Sequence, residues 1–187
     1  MSEIITMQTF QEIKNRTILL DSNIPINYAS KGFKERSGNP LRTLVSNNNR
    51  LVVTSLTGFE LLQAEIRDDV RKKYVQFLNY VPNLPMGKEY FQNGALLAGE
   101  YRRVCNGKKL PFQDLILGGV VVAHSFGKDK LLFLTTDRQD FCEPIWLTVS
   151  HLIVPDEEKG KIQTTLYLLE INIDLITQET KPREKKG

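Results

Sequence analysis

The segment Arg16-Thr-Ile-Leu-Leu-Asp-Ser-Asn23, followed by Ile24-Pro25, sets how the whole chain is read. Its apolar run, part β-branched, predicts a buried strand. The polar turn after it predicts a helix start, because Asp or Ser can cap a helix and Pro suits its first turn. The same pattern recurs. Arg50-Leu-Val-Val-Thr54 is a second apolar run, with Thr57-Gly-Phe-Glu-Leu-Leu-Gln-Ala64 of helical character behind it. Lys130-Leu-Leu-Phe-Leu134 is a third and stops at Thr135-Thr-Asp137. Apolar strands alternating with helices predict an α/β chain with a central, mostly parallel sheet covered on both faces.

The intervening segments fill in the helices. Gly38-Asn-Pro40 reads as a turn, with a short helix over Leu41 to Val45. Asp68-Asp69 opens a helix whose Val70, Tyr74, Phe77, Leu78 and Val81 recur at helical spacing. Pro82 to Met86 reads as a break or a short strand. Lys88 to Cys105 reads as a helix ended by Asn106-Gly107. From Pro111 to Ala123 the pattern is helical and apolar nearly all round, which puts that helix in the centre of the molecule. Two glycines inside it, Gly118 and Gly119, each cost about 1 kcal/mol relative to Ala, so a close neighbour is expected there. After Phe141 the runs Ile145–Val154 and Lys161–Ile173, joined by Pro155 to Gly160, predict a β-hairpin added to the sheet or packed beside it. The expected division is a main domain over 1–142, a hairpin extension of that domain over 143–176, and a basic flexible tail over 177–187.

Composition narrows the classes. With 187 residues, 41% hydrophobic and 25% charged, the chain suits one globular domain that needs neither metal nor disulfide to hold a core. Its longest apolar stretch, Leu115 to Ala123, is far short of the ~20 residues a membrane helix needs. The first thirty residues carry no basic-then-apolar leader pattern. Cys105 and Cys142 form no C-x-x-C, so a zinc ribbon or disulfide framework is excluded at this level, Cys105 reads as a structural thiol, and a reducing, cytoplasmic compartment is expected. The net charge of +3 resides in residues 181–187, and the rest is neutral. Any polyanion must therefore meet a local patch. Phosphate-binding glycine loops and the G-x-S-x-G elbow are absent.

Ligands of open α/β sheets bind at the carboxyl ends of the strands. Asp21 follows the first strand directly, Asp137 follows the third, Glu60 lies on the helix after the second, and Asp114 is in the first turn of the central helix. Each alone could be a helix cap or a surface acid. Four carboxylates at one edge repel each other and lose hydration, and a hard divalent cation with oxygen ligands, Mg²⁺ or Mn²⁺, is the simplest compensation.

The motifs Leu19-Leu-Asp-Ser-Asn23, Thr54-Ser-Leu-Thr-Gly-Phe-Glu60, Pro111-Phe-Gln-Asp-Leu-Ile-Leu117 and Leu134-Thr-Thr-Asp-Arg-Gln-Asp-Phe141 resemble, in that order, those of the PIN-domain nucleases, including the VapC-type toxins of toxin–antitoxin pairs. The resemblance spans about residues 17 to 142. It implies a three-layer α/β/α fold and a Mg²⁺- or Mn²⁺-dependent endoribonuclease that cuts RNA. Asp21, Glu60, Asp114 and Asp137 would be the catalytic and metal-binding acids. Ser22, Asn23 and Thr135 would be polar support, and Asp140 an outer acid. It further implies an antitoxin that blocks the cleft, and homodimerisation, for which Tyr74, Phe77 and Tyr80 are candidates. RNA phosphates would be steered by Arg102, Arg103, Lys108 and Lys109, or by Lys31, Lys34 and Arg36. The competing reading is a catalytically inactive PIN-like module that binds RNA or a protein. A phosphoacceptor receiver domain fits poorly, because Asp21 has no acidic neighbour and no lysine follows the Leu131–Leu134 strand at the expected place.

Overall fold

The computed structural model describes residues 9–31, 40–64, 67–126, 130–156 and 161–177. In it the opening run forms strand β1, Thr17–Leu20, which leads into helix α1, Asn23–Lys31. Helix α2, Pro40–Ser46, precedes β2, Arg50–Thr54. Helices α3, Ser55–Ala64, and α4, Asp68–Tyr80, then lead to the short β3, Asn83–Leu84. Helices α5, Lys88–Val104, and α6, Phe112–His124, are followed by β4, Leu132–Thr135. The chain closes with β5, Trp146–Asp156, β6, Lys161–Ile171, and α7, Ile173–Thr177. The tail from 178, Lys34 and Arg36, the Gly38-Asn39 part of the predicted turn, and the hairpin tip at 157–160 lie outside the described residues.

The six strands form one sheet in the order β3-β2-β1-β4-β6-β5. The first four are parallel, while β6 runs antiparallel to β4 and carries β5 on its outer side. The hairpin thus extends the sheet itself. Its second strand stops at Ile171, two residues before the expected end, where Asn172 N–H donates to the Ile145 carbonyl and the chain turns into α7.

Alternation along each strand builds two cores. Leu19, Val52, Phe133 and Leu169 face α5 and α6, whereas Ile18, Leu20, Val53, Leu132 and Leu134 face the other way, toward Ile24 of α1 and Leu41 and Leu44 of α2. The α/β/α layering follows from this two-sided burial. On the second side Tyr74 is buried with Leu61 and Val70, Phe77 packs against both of that side's clusters, and Tyr80 alone of the three candidate dimer residues is exposed, at 86%.

The two glycines of α6 have the close neighbour they need. A Cβ at Gly119 would strike the Tyr90 carbonyl and lie 2.7 Å from the Gly94 nitrogen, and one at Gly94 would lie 2.8 Å from the Leu115 carbonyl oxygen. Helices α5 and α6 therefore meet backbone to backbone. Helix α5 ends at Asn106 and Gly107, both in left-handed conformations with φ of 53° and 76°.

One expectation is corrected. Cys105, at the end of α5, and Cys142, in the loop after β4, form a disulfide with their Cα atoms 6.1 Å apart. A separation of 37 residues carries no pattern by which a single pair could be read. Only the docking of α5 beside the loop after β4 brings the two together. Reducing compartments keep such pairs open, so the cytoplasmic expectation loses the support it drew from cysteine usage.

Candidate functional site

In the sheet order, β1 connects toward β2 on one side and pairs with β4 on the other, so the topological switch point lies between β1 and β4. At such a point the loops leave in opposite directions and open a crevice. Asp21 and Asp137 follow the two strands that frame it.

Asp21 is 6% exposed. Its Oδ2 accepts hydrogen bonds from Thr135 Oγ1 and Asn23 Nδ2, both at 2.7 Å. Thr135, wholly buried at the end of β4, also accepts from Asn23 Nδ2 at 3.0 Å and from the Asp137 N–H at 3.0 Å. Asn23 Oδ1 accepts from the Thr136 N–H at 3.1 Å. The polar residues around Asp21 thus stitch the two strand ends together. Ser22 Oγ, in the turn between β1 and α1, lies 3.5 Å from Asp21 Oδ1, and its side chain favours the charged form of Glu60 on α3.

The acids sense one another across these elements. Burial raises the Asp21 carboxyl above its ordinary range, against the opposing effect of the Thr135 and Ser22 hydrogen bonds, and the Asp137 charge adds to the rise. Glu60 is raised by burial and by Asp21. Asp114, half-buried at the start of α6, is pushed up to about 7, first by burial and then by the charges of Asp21, Asp140, Glu60 and Asp137. Five acids from four segments therefore share one field. Within the described residues Asp21, Glu60, Asp114 and Asp137 form no salt bridge. The set is an uncompensated group of hard oxygen donors, the chemistry that suits Mg²⁺ or Mn²⁺. Among the described residues no three of these side chains stand close enough to bind one ion jointly. Asp137 is exposed, and its Oδ1 accepts from the Gln139 N–H at 3.1 Å.

The four predicted RNA-steering cations separate. Arg102, Lys108 and Lys109 line one pocket, with Lys108 Nζ 3.8 Å from Asp140 Oδ1. Arg103 instead forms a salt bridge with Glu100, an acid only 3% exposed. Sequence reading did not single out Glu100, although its i, i+3 spacing to Arg103 was a usable signal. It also missed Tyr101, whose hydroxyl donates to the Asp140 carbonyl and accepts from the Cys142 N–H, both at 3.3 Å. Nothing in a lone aromatic on a helix announces that role.

No family model matches the chain, and no curated protein is similar to it in sequence. Solved structures share its fold, among them two from toxin–antitoxin complexes. A chain of the VapBC2 complex from Rickettsia felis, bound to a DNA fragment from their promoter, superposes with a TM-score of 0.55 at 16% identity, over 67% of this chain and 90% of that one. A chain of a toxin–antitoxin complex from Klebsiella pneumoniae gives 0.50 at 17% identity, over 67% and 91%. At such identities the likeness is one of fold: this chain's mostly parallel sheet flanked by helices is shared with chains of these two complexes.

Proposed function

We propose that this chain is a Mg²⁺- or Mn²⁺-dependent endoribonuclease whose site is formed by Asp21, Glu60, Asp114 and Asp137. The observation that carries the reading is the convergence of Asp21, Glu60, Asp114 and Asp137 at one edge of the sheet, where Asp21 is buried and none of the four forms a salt bridge among the described residues. Sustaining their mutual repulsion has a purpose when a dication joins the site. Such a cation would acidify a water and neutralise charge developing on the phosphate. Mg²⁺ is commonly held through one or two carboxylates and keeps several waters, so direct ligation by three side chains is not required. The chain's own part is orientation: Thr135 and Asn23 fix Asp21, with the Ser22 hydroxyl beside it.

The neighbours in fold come from toxin–antitoxin complexes, and on that ground we assign this chain the toxin role, with a protein antitoxin as its partner. In the cytoplasm, where its proposed substrate is found, Cys105 and Cys142 would stand as adjacent thiols. The alternative, a PIN-like module that binds without cutting, is favoured by the absence of any jointly ligating trio among the described residues.

Cleavage of single-stranded RNA in Mn²⁺ is expected from the wild type and should vanish in Asp21→Asn and Asp114→Asn with unchanged circular dichroism. Equal activity in the variants overturns the assignment. Calorimetric titration with Mn²⁺ at pH 7 separates the alternative, which predicts no heat.

A further inference from the structure

Beside the acids, α5 and the loop to α6 enclose a pocket of about 200 Å³. Leu110 and Leu115 supply apolar wall and Tyr101 the inner side, while Arg102, Lys108 and Lys109 supply charge. Leu115 directly follows Asp114, and Tyr101 hydrogen-bonds the Asp140 carbonyl, so the pocket abuts the acid group without being part of it. Its cations are unequally engaged. Lys108 pairs with Asp140, whereas Arg102 and Lys109, both exposed, form no salt bridge among the described residues.

We infer that this pocket is a nucleotide subsite, taking one base of single-stranded RNA against its apolar wall and the adjoining phosphate on Arg102 and Lys109. The inference rests on the RNA-cleaving reading above and adds to it where the strand lies. Three features argue for this occupant. Positive charge that forms no salt bridge among the described residues, beside a pocket lined by Leu110, Leu115 and Tyr101, selects a ligand that is anionic at one end and apolar at the other, as a nucleotide is. The volume is below that of a drug-sized ligand site and suits one base. The Lys108–Asp140 pair forms the border between a face that attracts phosphate and the acids that repel it. A strand seated here therefore passes the acids at a neighbouring phosphodiester.

The test uses the full chain carrying Asp21→Asn, without added metal, and reads anisotropy of a labelled single-stranded RNA octamer over a salt series. Adding Arg102→Ala and Lys109→Ala is expected to weaken binding about tenfold. The slope of log K against log salt should fall by roughly 0.7, since the two cations hold one phosphate and each single-strand phosphate contact contributes about 0.7. Removing two cations from α4 by Arg71→Ala and Lys72→Ala should leave both quantities unchanged. An octamer with one abasic position should bind several-fold more weakly to the Asp21→Asn chain, but no more weakly than the intact octamer to the pocket variant. Unchanged affinity in the pocket variant, an equal loss in the α4 control, or binding of an acidic peptide in preference to RNA overturns the subsite. Normal pocket-dependent binding with no Mn²⁺-dependent cleavage by the wild type overturns the nuclease reading and leaves the subsite standing.

Discussion

Thr135 Oγ1 donates a 2.7 Å hydrogen bond to Asp21 Oδ2, joining residues 114 apart in sequence at the ends of neighbouring strands. The same oxygen accepts from Asn23 and from the Asp137 N–H, so one hydroxyl serves both sides of the crevice. Replacing it by the near-isosteric Thr135→Val leaves buried polar partners unsatisfied, which costs about 1–3 kcal/mol. Urea denaturation should show a lower midpoint of that size, and an unmoved midpoint would mean that the hydroxyl contributes nothing.

Asp114 makes the metal-free protein sensitive to pH in a defined direction. Its folded-state pKa is about 7 against an ordinary 3.8, so the native state binds this proton more tightly than the unfolded chain does. Its contribution to stability is full below the ordinary value and is lost as pH rises through the folded one. Burial and charge shift Asp21 and Glu60 in the same direction. Melting in EDTA should show the Asp114→Asn variant gaining on the wild type as pH climbs over that range. A difference independent of pH contradicts this account.

Two glycines on the packed helix pair should respond oppositely to Ala. At Gly119 the obstacle is the backbone of α5 at Tyr90 and Gly94, which cannot rotate aside. Overpacking should outweigh the helix-propensity gain and leave Gly119→Ala less stable by about 2 kcal/mol. At Gly99, exposed on α5, a Cβ meets nothing within 4 Å, and Gly99→Ala should gain about 0.5–1 kcal/mol. Chemical denaturation of the two variants tests the helix contact directly.

The Cys105–Cys142 link closes a separation of 37 residues. By the chain-entropy model, opening such a loop removes about 3–4 kcal/mol. Wild type should lose that stability on addition of a reductant, whereas Cys105→Ser with Cys142→Ser should start lower and not respond. A wild type indifferent to reductant would show that the two sulfurs are not joined in solution.

Much of the fold was legible in sequence because burial on both faces leaves strands with no polar positions. The runs ending at Leu20, Thr54 and Leu134 could hardly be anything but interior strands, and the glycines of α6 announced a close neighbour before that neighbour was identified. The acids too could be picked out, since Asp21, Asp114 and Asp137 stand at or just beyond the ends of apolar elements and Glu60 stands among apolar neighbours in α3, where an isolated charge needs a reason. The hairpin's place was open, because an amphipathic pair of strands can add to an edge or pack beside it with the same pattern.

Sequence alone therefore determined the elements up to the hairpin, though not α7, together with their order and the carboxylates that follow the strands, since local periodicity and turn chemistry act over a few residues. Tertiary structure alone decided the rest. It put β6 against β4, joined Cys105 to Cys142, left Arg102 and Lys109 beside an apolar pocket, and brought five acids into one field that lifts Asp114 to about 7. These outcomes depend on distances between segments far apart in the chain. Coulombic and desolvation energies are set by those distances and by burial, and neither is encoded in any local stretch of residues.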